Sequence, residues 1–162
     1  MHYAITGHTG TIGGYLYKNL DKCIGFSRSN GYDIRDEDIQ DQIVMESSDC
    51  DVFINCAHGG PGTAQTDLLW KFYRRWKNQY KFIINIGTDA VNKSVWSKLR
   101  VEYPLEKSIL ATTVDHIQHN QQNCRVSIIN PAIVSEKMLI DILNAVHYIT
   151  NCNTQVNTIT IQ

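Results

Sequence analysis

Two rhythms alternate along the chain. Short runs of apolar, β-favouring residues end at small or turn-forming ones, and each is followed by a longer stretch whose apolar residues recur three and four apart. Tyr3-Ala4-Ile5 ends in a glycine-rich turn, after which Ile12, Leu16 and Leu20 mark one helix face. Cys23 to Phe26 reads as a second strand, Glu37 to Met45 as a helix with Ile39, Ile43 and Val44 inward, and Asp51 to Cys56 as a buried strand. A helix over about 63 to 79 places Leu68, Leu69, Phe72 and Trp76 on one side, and Lys81 to Ile86 is the next strand. After an irregular stretch, a helix over about 102 to 122 points Leu105, Ile109 and Leu110 at the sheet. Arg125 to Asn130, stopped by Pro131, a helix near 136 to 150 and an alternating strand from Val156 to Ile161 complete the series. Apolar strands each followed by a helix predict a doubly wound parallel α/β sheet covered on both faces, in a single three-layer domain over residues 1 to 162. Ligands of such sheets bind beyond the carboxyl ends of the strands, so function is sought in the residues just after each strand.

Composition narrows the classes. Fifteen basic against sixteen acidic residues leave a net charge of -1, which argues against a nucleic-acid binder and gives no reason for an anionic membrane partner. The apolar runs are too short to span a bilayer and residues 1 to 20 lack the order of a signal peptide, so a soluble, cytoplasmic protein is expected. Five scattered cysteines (Cys23, Cys50, Cys56, Cys124, Cys152) indicate neither a disulfide framework nor a zinc site. His116 and His119 lack a third ligand at useful spacing, and no metal is assigned.

The turn Thr6-Gly7-His8-Thr9-Gly10-Thr11-Ile12-Gly13-Gly14 joins the first strand to the first helix, where a dinucleotide site needs it. Gly7 suits the dihedrals of the turn, Gly10 admits a pyrophosphate and Gly13 allows close packing, while the helix N-terminus faces the anion with free N–H groups. Twenty residues past Gly7, the end of the second strand is Ser27-Arg28-Ser29, with no carboxylate to repel a 2′-phosphate and one guanidinium and two hydroxyls to bind it. NADP is the expected cofactor; Asp33 nearby keeps NAD as the lesser alternative.

This turn resembles the opening fingerprint of the short-chain dehydrogenase/reductase family, especially its extended and atypical branches, and the resemblance continues in family order. Asp33-Ile34 looks like the acidic-plus-apolar pair beside the adenine, and Asn55-Cys56-Ala57-His58-Gly59 resembles the Asn-Asn-Ala-Gly segment, with Cys56 in place of the second Asn and His58 inserted. Ile84-Asn85-Ile86-Gly87-Thr88 is similar to the strand ending in the active-site Ser or Thr, Tyr103 to Lys107 to the Tyr-x-x-x-Lys signature, and Pro131-Ala132, with Ile133 after it, to the Pro-Gly segment. The resemblance implies a Rossmann fold binding NAD(P) and a hydride transfer between nicotinamide and a carbonyl carbon. In that transfer Tyr103 exchanges the proton, Lys107 holds the cofactor ribose and lowers the phenol pKa, and Thr88 donates to the substrate oxygen. It assigns cofactor contacts to Gly7, His8, Thr9, Gly10, Thr11, Ile12, Gly13, Ser27, Arg28, Ser29, Asp33, Ile34, Cys56, Ala57, His58, Lys107, Pro131, Ala132 and Ile133.

Spacing alone does not select the pair, because Tyr73 and Lys77 repeat it; that pair precedes the strand ending at Thr88 and reads as structural. Asp89 and Ser94 compete with Thr88 for its role, and no residue matches the family's assisting Asn. Only residues 132 to 162 follow the Pro131 segment, where the family usually carries its substrate cover. The first expectation is a compact NADP-dependent reductase of a small carbonyl, oxidising the alcohol in the reverse direction, assembled as a homo-oligomer that covers the cleft. The alternatives are a dinucleotide-binding sensor or scaffold without turnover and a sugar-nucleotide epimerase or reductase.

Overall fold

The computed structural model describes residues 1–89, 102–120, 122–132 and 134–162. Ser94 and Ile133 lie outside the described residues. Elements follow in the order β1 (Tyr3–Thr6), α1 (Thr11–Asn19), β2 (Cys23–Phe26), α2 (Glu37–Glu46), β3 (Val52–Asn55), α3 (Ala64–Trp76), β4 (Phe82–Ile86), α4 (Glu102–Asn120), β5 (Arg125–Pro131), α5 (Glu136–Asn151) and β6 (Thr158–Ile161). A short 3-10 turn, Arg28–Asn30, follows β2.

The six strands form one sheet in the order β2-β1-β3-β4-β5-β6, and every neighbouring pair is parallel. The expected doubly wound α/β architecture is the one observed. Alternate residues of each strand serve opposite faces, as the two-residue period requires. Ala4, Phe53, Ile83 and Val126 face the helices α2, α3 and α4, whereas Ile5, Ile54, Ile84 and Ile129 face α1 and α5. Aromatic stacking ties the first layer together: the Phe53 and Phe72 rings stack nearly parallel with their centroids 3.5 Å apart.

Helix termini are set by local chemistry. Asp36 caps α2 by accepting from the Asp38 and Ile39 amides, and Ser135 caps α5 through Met138. By contrast, α1 begins at Gly10 with no side-chain cap and no acidic residue in its first turn, which leaves its N-terminal amides aimed at the sheet's carboxyl edge. Crossovers leave β1 toward β2 on one side and return toward β3 on the other, so this edge opens between β1 and β3, where doubly wound sheets bind ligands.

The inward stripe of α4 differs from expectation. It runs through Pro104, Lys107, Leu110, Val114 and Ile117, while Leu105 is exposed at 59%. Leu105 turns outward because a buried lysine, not a leucine, occupies the sheet-facing position of the first turns. At the other end of the chain, β6 starts at Thr158 rather than Val156, since side chains capture the preceding backbone: Gln118 Nε2 donates to the Asn157 carbonyl at 2.8 Å.

Candidate active site

A cavity of about 680 Å³ opens at the carboxyl ends of β1, β2 and β3, a volume typical of ligand clefts. Its floor is the glycine turn. Gly7 adopts φ +70°, and a Cβ on Gly13 would stand 2.3 Å from the Gly7 carbonyl oxygen, so only glycine lets α1 start against the turn. The uncapped α1 N-terminus thereby faces the cavity, with the donors and partial positive charge that suit a diphosphate.

Most of the expected cofactor residues come together here. Gly7, Thr9, Gly10, Thr11, Ile12, Gly13, Ser27, Arg28, Ser29, Asp33, Ile34, Cys56, Ala57 and His58 line the cavity. Gly59, the last residue of the segment that resembles Asn-Asn-Ala-Gly, lines it too, as do Tyr32 and Val134, which were unforeseen from the sequence. His8, Lys107, Pro131 and Ala132 do not. The His8 side chain leaves the cavity and packs on strand β2, where a Cβ on Gly25 would meet its ring at 2.4 Å; its ring centroid is 5.0 Å from that of Tyr17.

At one end, Ser27 Oγ and Ser29 Oγ lie 2.8 Å apart and Asn30 Oδ1 accepts from the Ser27 amide, which shapes the turn that presents Arg28. Asp33 is engaged by Arg35, whose Nε donates to Oδ1 at 3.0 Å and whose Nη2 pairs with Oδ2. Those hydrogen bonds hold the carboxyl down at a pKa of about 2.

At the other end, His58 adjoins Tyr103, their ring centroids 4.9 Å apart and edge to face. Burial pushes the Tyr103 phenol above its ordinary range, while a hydrogen bond with Thr88 acts the other way and the nearby Cys56 and Glu106 raise it further. Lys107, the residue expected to depress the phenol, is instead turned inward. Its Nζ donates to Gln65 Oε1 at 2.8 Å and to the Ile86 carbonyl at 2.9 Å, and stands 5.7 Å from the Tyr103 ring centroid. Burial lowers its pKa to about 8. The reason is geometric: Lys107 lies on the inward stripe of α4, so its ammonium reaches acceptors under the sheet edge.

Those acceptors belong to a buried amide network. Gln65 Nε2 donates to the Asn55 carbonyl at 2.7 Å, and Asn55 Nδ2 donates to the Gln65 carbonyl at 2.8 Å and to Asn85 Oδ1 at 3.0 Å. Strands β3 and β4 are thus pinned to the first turn of α3 beside the lysine. Nothing in the spacing of Gln65 announces this, because its partners come from three other elements. The second Tyr-Lys pair is structural: Tyr73 is buried, and its hydroxyl donates to the Asn120 carbonyl at 3.3 Å. His119 Nδ1 sits 2.8 Å from the Asp115 carbonyl of its own helix.

No protein-family model and no curated protein matches the chain. Solved structures do. A small-chain dehydrogenase superposes with a TM-score of 0.81 at 18% identity, covering 99% of this chain and 96% of its own. The chain has the short-chain dehydrogenase fold. A small-chain dehydrogenase in complex with NADPH follows at TM-score 0.74 and 17% identity, covering 100% of this chain and 96% of that one. A 4-hydroxyisoleucine dehydrogenase complexed with NADH and succinate gives 0.76 at 18%, covering 99% and 97%. No helix of the described residues is long and apolar enough to cross a membrane.

Proposed function

We propose that this chain is an NADP-dependent oxidoreductase of the short-chain type, a single cytoplasmic domain that interconverts a small carbonyl compound and its alcohol. The observation that carries the reading is the placement of Tyr103, bonded to Thr88, beside the His58 end of a glycine-floored cavity. The cavity fits the cofactor: its glycine turn and uncapped helix suit the diphosphate, and its Ser27–Ser29 end offers a cation and hydroxyls to a 2′-phosphate. Dehydrogenases of the same fold with NADPH and NADH support a nicotinamide cofactor.

When bound, the nicotinamide supplies or accepts the hydride. This chain's own residues handle the proton. In reduction the Tyr103 hydroxyl protonates the developing alkoxide while Thr88 donates to the same oxygen, stabilising charge in a dry site. Burial keeps the phenol protonated at neutral pH, which favours donation over abstraction. Lys107 stays cationic below about pH 8, and holding the cofactor ribose would require its Nζ to release Gln65. The exposed Leu105 of α4 and Val134 on the cavity rim are apolar positions that a second subunit would cover in a homo-oligomer.

The inward turn of Lys107 favours one second reading, a dinucleotide-binding sensor or scaffold without turnover. The two separate when carbonyl compounds are screened for NADPH oxidation by wild type and Tyr103→Phe. Oxidation by wild type alone, with equal NADPH affinity in both, supports the enzyme. Tight NADPH binding with no substrate-dependent oxidation supports the sensor.

A further inference from the structure

We infer that Glu106 and His58 form a clamp that positions Tyr103, a role resting on the proposed function and involving no contact with the reacting atoms. The loop between β3 and α3 carries His58 and then Gly59, Gly60 and Gly62, of which Gly60 and Gly62 take φ +86° and +129°. Three glycines in four residues give such a loop little stiffness of its own.

Glu106 of α4 supplies it. Its Oε1 accepts from the Gly62 amide at 2.6 Å, and its Oε2 lies 3.2 Å from His58 Nδ1, so one hydrogen bond and one close polar contact join the loop to the helix. The Glu106 side chain is only 12% exposed, whereas its partners on the loop face solvent. His58 then meets the Tyr103 ring edge to face, with an interplanar angle of 87°. Tyr103 sits one helical turn before Glu106, so the three side chains and the α4 backbone close a ring of contacts around the phenol. Gln65 and Lys107 hold the neighbouring turn of α4 from the far side.

Charge agrees with this geometry. Burial first, and then the Lys107 ammonium, hold the imidazole below its ordinary range, with Glu106 opposing them. Around His58 also stand the Cys56 thiol just after β3 and, beside Gly59, Arg35 with its partner Asp33. At neutral pH the ring is therefore uncharged, and the Glu106 carboxylate stands beside it as a polar neighbour at 3.2 Å. The same ring walls the dinucleotide cavity, so one residue sets both the end of the cofactor site and the bearing of the phenol.

The test compares His58→Ala, Glu106→Ala and His58→Phe with wild type. Losing either half of the clamp lowers kcat about tenfold or more, the scale expected when a reacting group is misplaced, with the unfolding midpoint little changed in both and KM for NADPH little changed in Glu106→Ala, whose carboxylate does not line the cavity. His58→Phe keeps an aromatic edge against Tyr103 and recovers kcat to within about threefold of wild type. The phenol itself gives a readout without turnover. Its ionisation, followed by ultraviolet difference against Tyr103→Phe, moves down toward the ordinary tyrosine value in both alanine variants as water enters, but not in His58→Phe. Unchanged kcat and phenol ionisation in His58→Ala overturn the clamp, as does His58→Phe behaving like His58→Ala. If wild type binds NADPH without turnover, the functional reading fails, and the phenol shift still decides the clamp.

Discussion

Lys107 Nζ is shared between the side-chain oxygen of Gln65 and the backbone oxygen of Ile86, inside a site that leaves the lysine 4% exposed. A buried ammonium needs acceptors, and Gln65 supplies one while bonding Asn55 and Ile86 with its amide. Gln65→Leu is therefore expected to destabilise the fold by roughly 1–3 kcal/mol, the cost of stranding buried polar groups. Lys107→Met, which removes the charge itself, is expected to cost less stability and abolish turnover. Urea denaturation ranks the two; a smaller loss in Gln65→Leu contradicts the account.

The same lysine makes stability depend on pH with a defined sign. Burial lowers its pKa from 10.5 to about 8, so between these values the unfolded chain binds the proton and the folded chain has released it. Stability from this group is thus lowest below pH 8, rises through the interval and levels off above 10.5, by roughly 3 kcal/mol in all. Wild type should gain this increment relative to Lys107→Met in denaturation series across that range. A constant difference between them would mean that the ammonium is not buried.

Under the proposed function, cofactor choice turns on two arginines. Arg28 is presented at the Ser27–Ser29 end of the cavity, whereas Arg35 occupies the Asp33 carboxylate. Arg28→Ala is expected to weaken NADPH about tenfold or more, the worth of a charge-assisted hydrogen bond, and NADH little. Arg35→Ala releases Asp33 to accept from a ribose hydroxyl and to repel a 2′-phosphate, moving preference toward NADH. Dissociation constants for both coenzymes in both variants check this, and equal changes for the two coenzymes would remove Arg28 from the role.

Gly13→Ala tests the cavity floor. Its methyl would fall 2.3 Å from the Gly7 carbonyl oxygen, a backbone atom that cannot swing aside. We expect roughly 1–3 kcal/mol of destabilisation from overpacking and a loss of NADPH affinity as the turn moves. Calorimetric binding and a thermal melt measure both.

Legibility followed the locality of the signal. The strands, the glycine turn and the α3 stripe are written in contiguous residues, and apart from the later start of β6 they appear where the two rhythms place them. Leu105 was misassigned to the sheet because nothing local marks Lys107 as the inward residue of α4. Gln65 and Glu106 escaped notice because each acts across elements, on residues 42 and 44 positions away. His8 sits in the fingerprint, yet the missing side chain at Gly25, on another strand, decides where its ring goes.

That last contact ties two parts of the chain into one unit of change. The imidazole at position 8 fills the volume a methyl at position 25 would need, so enlarging β2 there calls for shrinking the turn's residue in the same step. Single substitutions at 25 would push the ring toward the diphosphate loop, whereas a paired replacement such as His8→Ser with Gly25→Ala leaves that loop undisturbed.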